Sequence, residues 1–486
     1  MTAVDGVPLV WAPSQGAAEQ AGLVFRIGQA DEDLPRRGVT RIVAEAAAAT
    51  AGCRAIVGLH QTTFIADGDK PRDALARLTE TLRWMPTDLA AGTAARLRAE
   101  AIGLDASVVG GALALRYGPV GPGLLGYREF GLASVAPSFA RAWSESWFTA
   151  ESAVAWCTGE PGSDISLDLY PGAPAPAART PSPIAELPAW STHRAGCVSV
   201  SMLLPRTLAS SLTIECIVRA ATDQLDEVAH WVLPIDGDTV HLTLAAAGRD
   251  GLLPVLERVA VDGPTPAELT AAIEVVGRAQ RERAASLQHA ASAALEGRPG
   301  DDDAVDVSEM SAISASAVAD DLAAAAATAL VLVPEGSRAP DGPLPPMPRW
   351  STEELAGTRF RSARPDRDEA LAVGPHGVTR LMGPAQALTV HFDDCAALVR
   401  WRNGPRTLYG TNGLTVHVDE WDWEGGAKAV AMIDGRISPD RHVILDEDAE
   451  RLPTFPSAEP PRPAPRPEHH PRQPRPWRLG DRHSTG

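Results

Sequence analysis

The sequence predicts an α+β chain: two α/β units in succession, then a small C-terminal β-barrel-like domain and a disordered tail. Three observations carry this reading. Strand-like apolar runs alternate with amphipathic helical patterns over 1–173 and again over 189–334, with a Pro- and Ala-rich linker at 174–188 between them. After a second linker at 335–346 the helical period gives way, over 347–448, to short strands at turn-marked intervals. From 449 to 486 Pro, Arg and His crowd the chain and large apolar residues are scarce apart from Trp477. Such a segment cannot bury enough surface to offset its ordering entropy.

In the first unit, 7–11 and 23–27 read as strands, and an Ala-rich helix over 38–50 carries Ile42 and Val43 as apolar contacts. A hairpin follows at 55–59 and 62–66. Helices at 73–84 and 87–102 place Leu75, Leu78, Leu82, Leu89 and Leu97 on faces turned to a sheet. The glycine-rich stretch 118–126 lacks the Lys-Ser/Thr ending of a phosphate loop and reads as a plain loop. A helix with Trp143 and Trp147 comes next, and these tryptophans read as packing residues. The second unit starts with a strand at 197–204, a helix at 208–224, a strand at 239–246 and a helix at 252–261. Helices over 266–295 and 307–328 lead to a closing strand at 329–334. Between them, Asp301-Asp302-Asp303 reads as a surface loop whose carboxylates could hold a loose divalent cation at most. The third segment offers strands near 359, 371, 378, 388, 397, 407 and 414, with a helix over 426–437 ending the set.

Composition narrows the function classes. At 486 residues there is room for about two to four domains. A net charge of -18 argues against nonspecific nucleic-acid binding as the main task. Abundant Ala, Arg, Gly and Pro with few Lys suggest a GC-rich coding bias more than any function. Five cysteines, Cys53, Cys157, Cys197, Cys216 and Cys395, form no C-x-x-C pair, so neither a disulfide framework nor a zinc ribbon is indicated. No leader-like segment opens the sequence, and no run approaches the roughly 18 apolar residues of a membrane helix. The expectation is a soluble cytoplasmic protein with no membrane span.

The stretch Gly38-Val39-Thr40-Arg41-Ile42-Val43-Ala44-Glu45-Ala46 resembles the zinc helix of the insulinase/pitrilysin family of inverted zincins, with its working residues replaced. In that family H-x-x-E-H supplies two His ligands and a Glu that activates water. Here the same positions are Arg41, Ala44 and Glu45. A guanidinium has donors only and cannot bind a cation, and Ala44 has no base. The register rests on the flanks: 22–32 resembles the strand and loop before the zinc helix, 96–101 resembles the helix carrying the third ligand, and 147–159 resembles a helix ending in an aromatic turn before a strand. Glu100 stands at the third-ligand position, 55 residues after Glu45. The resemblance implies that the two α/β units are related and form one half of a clam. It also implies an Arg and a Tyr in the second unit that grip substrate. Arg219 lies near the Arg position, and 223–228 contains no Tyr. The third segment resembles a pleckstrin-homology-like module, with Trp421 and Trp423 as plugs. Its cations Arg400, Arg402 and Arg406 are too few for a lipid headgroup site, which favours protein contact.

Each motif has a plainer reading. Arg41 and Glu45, four apart, are also an ordinary helical ion pair of about 0.2–0.5 kcal/mol, and Glu100 alone is an ordinary surface carboxylate. His469-His470 in the tail read as solvated. The leading functional expectation is a noncatalytic insulinase-type homologue, a partner or peptide-holding subunit of a dimer with another such chain or with itself, needing no cofactor. In it Arg41 would fill the metal's space and pair with Glu45 and Glu100 as an ionic staple. One alternative is a zinc metalloendopeptidase using Glu45 and Glu100, short of the three protein ligands a catalytic zinc takes. Another is an adaptor recruiting partners through the C-terminal module and tail.

Overall fold

Six strands build the first sheet of the computed structural model. It describes residues 2–446 apart from 15–18, 69, 102–106, 162–164, 177–179, 248–250, 299–306, 341, 343 and 384–385. The elements run β1 (Thr2–Val4), β2 (Val7–Ala12), β3 (Gln20–Phe25), α1 (Val39–Ala51), β4 (Arg54–Val57), β5 (Thr62–Asp67), α2 (Pro71–Arg83), α3 (Thr87–Ala101), α4 (Val108–Tyr117), α5 (Gly131–Ser134), α6 (Pro137–Trp147) and β6 (Ala153–Thr158). The sheet order is β1-β2-β6-β3-β5-β4, parallel only between β2 and β6. Alternation along the strands gives the sheet two buried faces. Leu9, Leu23, Phe25, Phe64 and Ala155 meet α1, α2 and α6, where Val43, Leu75, Leu78, Leu82 and Trp143 complete the main core. Four small residues, Ala44, Ala46, Ala47 and Ala48, let α1 lie deep in that core.

A second sheet follows: β7 (Ala189–His193), β8 (Cys197–Pro205), α7 (Leu208–Gln224), β9 (Val228–Pro234), β10 (Thr239–Ala247), α8 (Leu252–Asp262), α9 (Pro266–Ala284), α10 (Leu287–Leu295), α11 (Val307–Ser311), α12 (Ala315–Ala326) and β11 (Leu330–Pro334). Its order is β7-β11-β8-β10-β9, with β7 and β11 parallel. The two halves exchange helices. α10 lies on the second face of the first sheet, where Leu287, Ala291 and Leu295 meet Val24, Ile65, Val154 and Trp156. Helix α4, from the first half, lies against β8, β10 and β11 of the second sheet. The single helices expected over 266–295 and 307–328 are each two, because Ser286 and Ser314 cap new helices by accepting from the amides of His289 and Ala317.

The chain divides into two compact units, Met1–Arg338 and Ala339–Gly486. In the second are β12 (Thr358–Arg361), β13 (Ala370–Val373), β14 (Gly377–Leu381), β15 (Ala387–His391), β16 (Cys395–Trp401), β17 (Arg406–Gly410), β18 (Thr415–Val418), α13 (Gly426–Asp434) and β19 (His442–Leu445). They pair as two four-stranded sheets, β12-β13-β14-β15 and β18-β17-β16-β19, so no closed barrel forms among the described residues. Nor does the helix end the set, since β19 follows it and runs parallel to β16. Strand rhythm is common to many all-β arrangements; hydrogen-bond pairing decides between them, and the sequence period does not report it. Trp423 is buried among Phe360, Leu371 and Val430 as a plug, whereas Trp421 is 77% exposed, turned outward where the Asp419 carboxylate accepts from its amide. Among the described residues no helix is long and apolar enough to cross a membrane. Asp301-Asp302-Asp303, His469-His470, Trp477 and the tail 449–486 lie outside the described residues.

Candidate functional site

The site is built on the first turns of α1, and a buried carboxylate starts that helix. Glu32 accepts from the amides of Gly38 (2.7 Å) and Thr40 (2.8 Å), satisfying two donors that a helix N-terminus leaves open. Gly38 itself sits at φ +100°, a left-handed conformation that favours glycine. Burial pushes the Glu32 pKa up to about 7, against the pull of those amides and of Arg37. The Trp143 indole donates to Thr40 Oγ1 at 3.2 Å and ties α6 to the same turn. A third segment is pinned here as well, since the Gly131 amide donates to Arg37 O at 2.8 Å. A Cβ on Gly131 would meet Arg36 O at 2.6 Å, so only glycine permits this approach. That approach carries Glu129 to the flank of α1.

On α1 and α3 the charged side chains interlock. Arg41 donates from Nε to Glu45 Oε1 at 3.0 Å and from Nη1 to Glu129 Oε2 at 3.0 Å, and its Nη2 stands 3.8 Å from Glu100 Oε2. Arg96 donates from Nη2 to Glu45 Oε2 at 2.5 Å and from Nη1 to Glu100 Oε1 at 2.6 Å. Two guanidinium groups are thus threaded through three carboxylates. Burial works against the charged form of Glu45, yet the hydrogen bonds from Arg96 and Arg41 outweigh it and hold its pKa below the usual carboxylate value. For Arg41 burial is likewise outweighed, by Glu45 and Glu129, and its pKa rises. Hydrogen bonds to Glu45 and Glu100 raise that of Arg96.

Three of the four residues singled out in the sequence, Arg41, Glu45 and Glu100, therefore meet. Ala44 does not join them, being fully buried in the core. Arg96 and Glu129 are members that sequence reasoning missed. Arg96 precedes Glu100 by one helical turn, a pairing signal available in the sequence, while nothing local announces Glu129. This donor set does not fit a catalytic zinc: both oxygens of Glu45 hold guanidinium hydrogen bonds, and the centre of the group is itself a cation. Among the described residues no cluster of three or more His, Cys, Asp or Glu is placed to hold a metal ion.

The other residues named for function disperse. Arg219 lies on α7 and is partly buried. In the second unit Arg406 is clamped to Asp434 at 2.8 and 2.7 Å, and Arg400 stands 3.8 Å from the same carboxylate. These two therefore hold α13 to its sheet and do not form an open basic patch.

No protein-family sequence model and no curated protein sequence matches the chain. Solved structures do match. A protease from Helicobacter pylori superposes with a TM-score of 0.53 at 11% identity, covering 68% of this chain and 98% of that one. A chain of complex III2 from Candida albicans gives 0.52 at 13% identity, with 68% and 94% covered. The first half of the periplasmic protease PqqL from Escherichia coli gives 0.50 at 14%, with 68% and 90% covered. Against PqqL as a whole the match has a TM-score of 0.51 at 12% identity and spans 79% of this chain but 55% of that one. Identities this low show a shared fold and nothing finer.

Proposed function

We propose that this chain, which has the insulinase/pitrilysin-type fold, is a noncatalytic subunit that holds a peptide or a partner chain without cutting it. The observation that carries the reading is the Arg41–Glu45–Arg96–Glu100–Glu129 network, standing where the resemblance to inverted zincins puts the metal and its base. Guanidinium groups supply the positive charge that those carboxylates would otherwise take from a cation. The span of the match supports a single half of a two-half enclosure, completed by a second copy or by another chain of this fold. An open sheet edge can hold an extended peptide, because its unpaired backbone groups accept an added strand. β4 and β9 are the outermost strands of their sheets on one side, with Ile56 45% exposed on β4 and Trp231 38% exposed on β9.

The test is zinc content of the purified chain by elemental analysis, with mass spectrometry of an unstructured peptide incubated with it. Substoichiometric zinc, bound peptide and no cleavage are expected. Near-stoichiometric zinc and cleavage, both lost in Glu100→Ala, would overturn the reading and make the chain a metalloendopeptidase with a new ligand set. An adaptor role is favoured separately by the exposed Trp421 of the C-terminal unit. Deleting residues 347–486 would then remove partners that the α/β half alone does not retain.

A further inference from the structure

The two sheets differ on the faces that receive the exchanged helices. Under α10 the first sheet is apolar, but under α4 the two central strands of the second sheet, β8 and β10, present mostly polar side chains. The register pairs Ser201 with Thr243, and Ser199 and His241 lie two residues away along the same strands, so all four side chains project from one face. All four are at most 1% exposed. Into this face α4 inserts Arg116, itself 1% exposed. One of its nitrogens, Nη2, donates to Ser201 O (2.9 Å), Ser201 Oγ (3.0 Å) and Thr328 O (2.8 Å). Ser201 Oγ in turn lies 2.7 Å from His241 Nε2.

Among the described residues the rest of this buried layer has no protein partner. Arg116 Nε and Nη1, His241 Nδ1, Thr243 Oγ1 and Ser199 Oγ are all shielded and unbonded. Buried polar atoms are rarely left so, and Arg116 Nε and Nη1 beside Thr243 Oγ1, whose residue pairs with Ser201, call for an occupant of their own; Ser199 and His241 flank this pair on opposite sides. The character of the occupant follows from the lining. Every orphan can donate a hydrogen bond, no carboxylate is among them, and no ion pair reaches Arg116 among the described residues. Burial pushes the His241 pKa down to about 3, so the imidazole is neutral and adds no charge. A single buried guanidinium therefore stands without a counter-charge, which a water molecule would hydrate but not neutralise. A cation is excluded by the same charge, and an anion with two charges would over-neutralise it.

We propose that a small monovalent anion of the chloride class binds between α4 and the second sheet, its charge set against Arg116 and its coordination completed by the Thr243 hydroxyl of this sheet face. The site would then lock the helix exchange, because α4 belongs to the first half and its counter-surface to the second.

The full chain is tested by thermal unfolding at constant ionic strength in sodium chloride, sodium bromide and sodium gluconate, together with bromide-soaked crystals read by anomalous scattering. An anomalous peak within hydrogen-bond reach of Arg116, and a melting temperature that rises with chloride or bromide beyond its change in gluconate, are expected. Arg116→Met should abolish that difference. Should Arg116→Met not fold, Thr243→Val keeps the side-chain volume, and the half-saturating chloride concentration should rise about tenfold in it. If the hydroxyl is a plain orphan, Thr243→Val is instead neutral or stabilising in every salt. That result, an absent bromide peak beside Arg116, or equal anion dependence in wild type and variants overturns the proposal.

Discussion

Arg41 is where one side chain decides the character of the site. Removing it as Arg41→Met leaves Glu45, Glu100 and Glu129 with Arg96 as their remaining cation in the network. The group is partly open to solvent, its side chains 15–48% exposed, so screening limits the effect. A loss of about 1 kcal/mol in urea denaturation at low salt is expected, shrinking at high salt. Glu45 has its folded pKa depressed, so its contribution is present above the unfolded value and disappears as pH falls through the folded one. The wild-type advantage over Arg41→Met should vanish in acid accordingly. Glu32 has the opposite sign. Its folded pKa is raised to about 7, so the folded state holds the proton more tightly than the unfolded chain does. Stability from this group is complete below the unfolded carboxylate value and is lost as pH rises towards 7, by up to about 3 kcal/mol. Glu32→Gln should therefore gain on wild type between pH 5 and pH 8 in parallel denaturation series; a constant difference across that range would refute the assignment. Arg41, Glu45 and Glu100 were readable from the chain because helical spacing and a family pattern place them. Glu129 was not, because it lies 88 residues from Arg41 and is delivered by the Gly131 amide on Arg37 O.

Among the elements, a demanding fit brings β3 against β6 and β5. Gly22 pairs with Trp156, and a Cβ on Gly22 would come to 2.4 Å from the indole nitrogen and 2.5 Å from Phe64 O. The backbone of β5 cannot give way without breaking its ladder. Gly22→Ala is expected to cost about 2–3 kcal/mol, seen as a lower urea midpoint at unchanged slope. The apolar strands β3, β5 and β6 were legible because both of their faces are buried and their runs are apolar, and β2 because Val7 and Leu9 bury one face of a short apolar run. β9 was missed, since as an edge strand it exposes His230, Trp231 and Val232 and shows no clean alternation. α4 was missed for another reason: two adjacent glycines, Gly110 and Gly111, lower its helix propensity. Gly110 is needed all the same, because a Cβ there would meet Leu125 O at 2.6 Å. Tertiary packing against the following turn overrides the local preference.

For the whole molecule the question is which parts fold together. The exchanged helices α4 and α10 make the two sheets of the Met1–Arg338 unit interdependent, since each sheet buries one face only when the other half is present. Two α/β units were legible in the sequence as two runs of alternating strands and helices, but their exchange was not, because it depends on contacts between residues such as Trp156 and Ala291 that no local pattern encodes. The core around Leu398 and Trp423, by contrast, is drawn from residues 360–437. A chain of residues 1–338 should therefore unfold in one cooperative step. Residues 1–173 alone should not fold cooperatively, for without α10 the face formed by Val24, Ile65, Val154 and Trp156 is open to water. That face is worth several kcal/mol at about 25 cal/mol per Å² of apolar area, comparable with the whole stability of an ordinary domain. Calorimetry of the two truncations decides the matter: a sharp transition in 1–173 would mean that the exchange decorates a domain already stable, and its absence would mean that the exchange makes the fold.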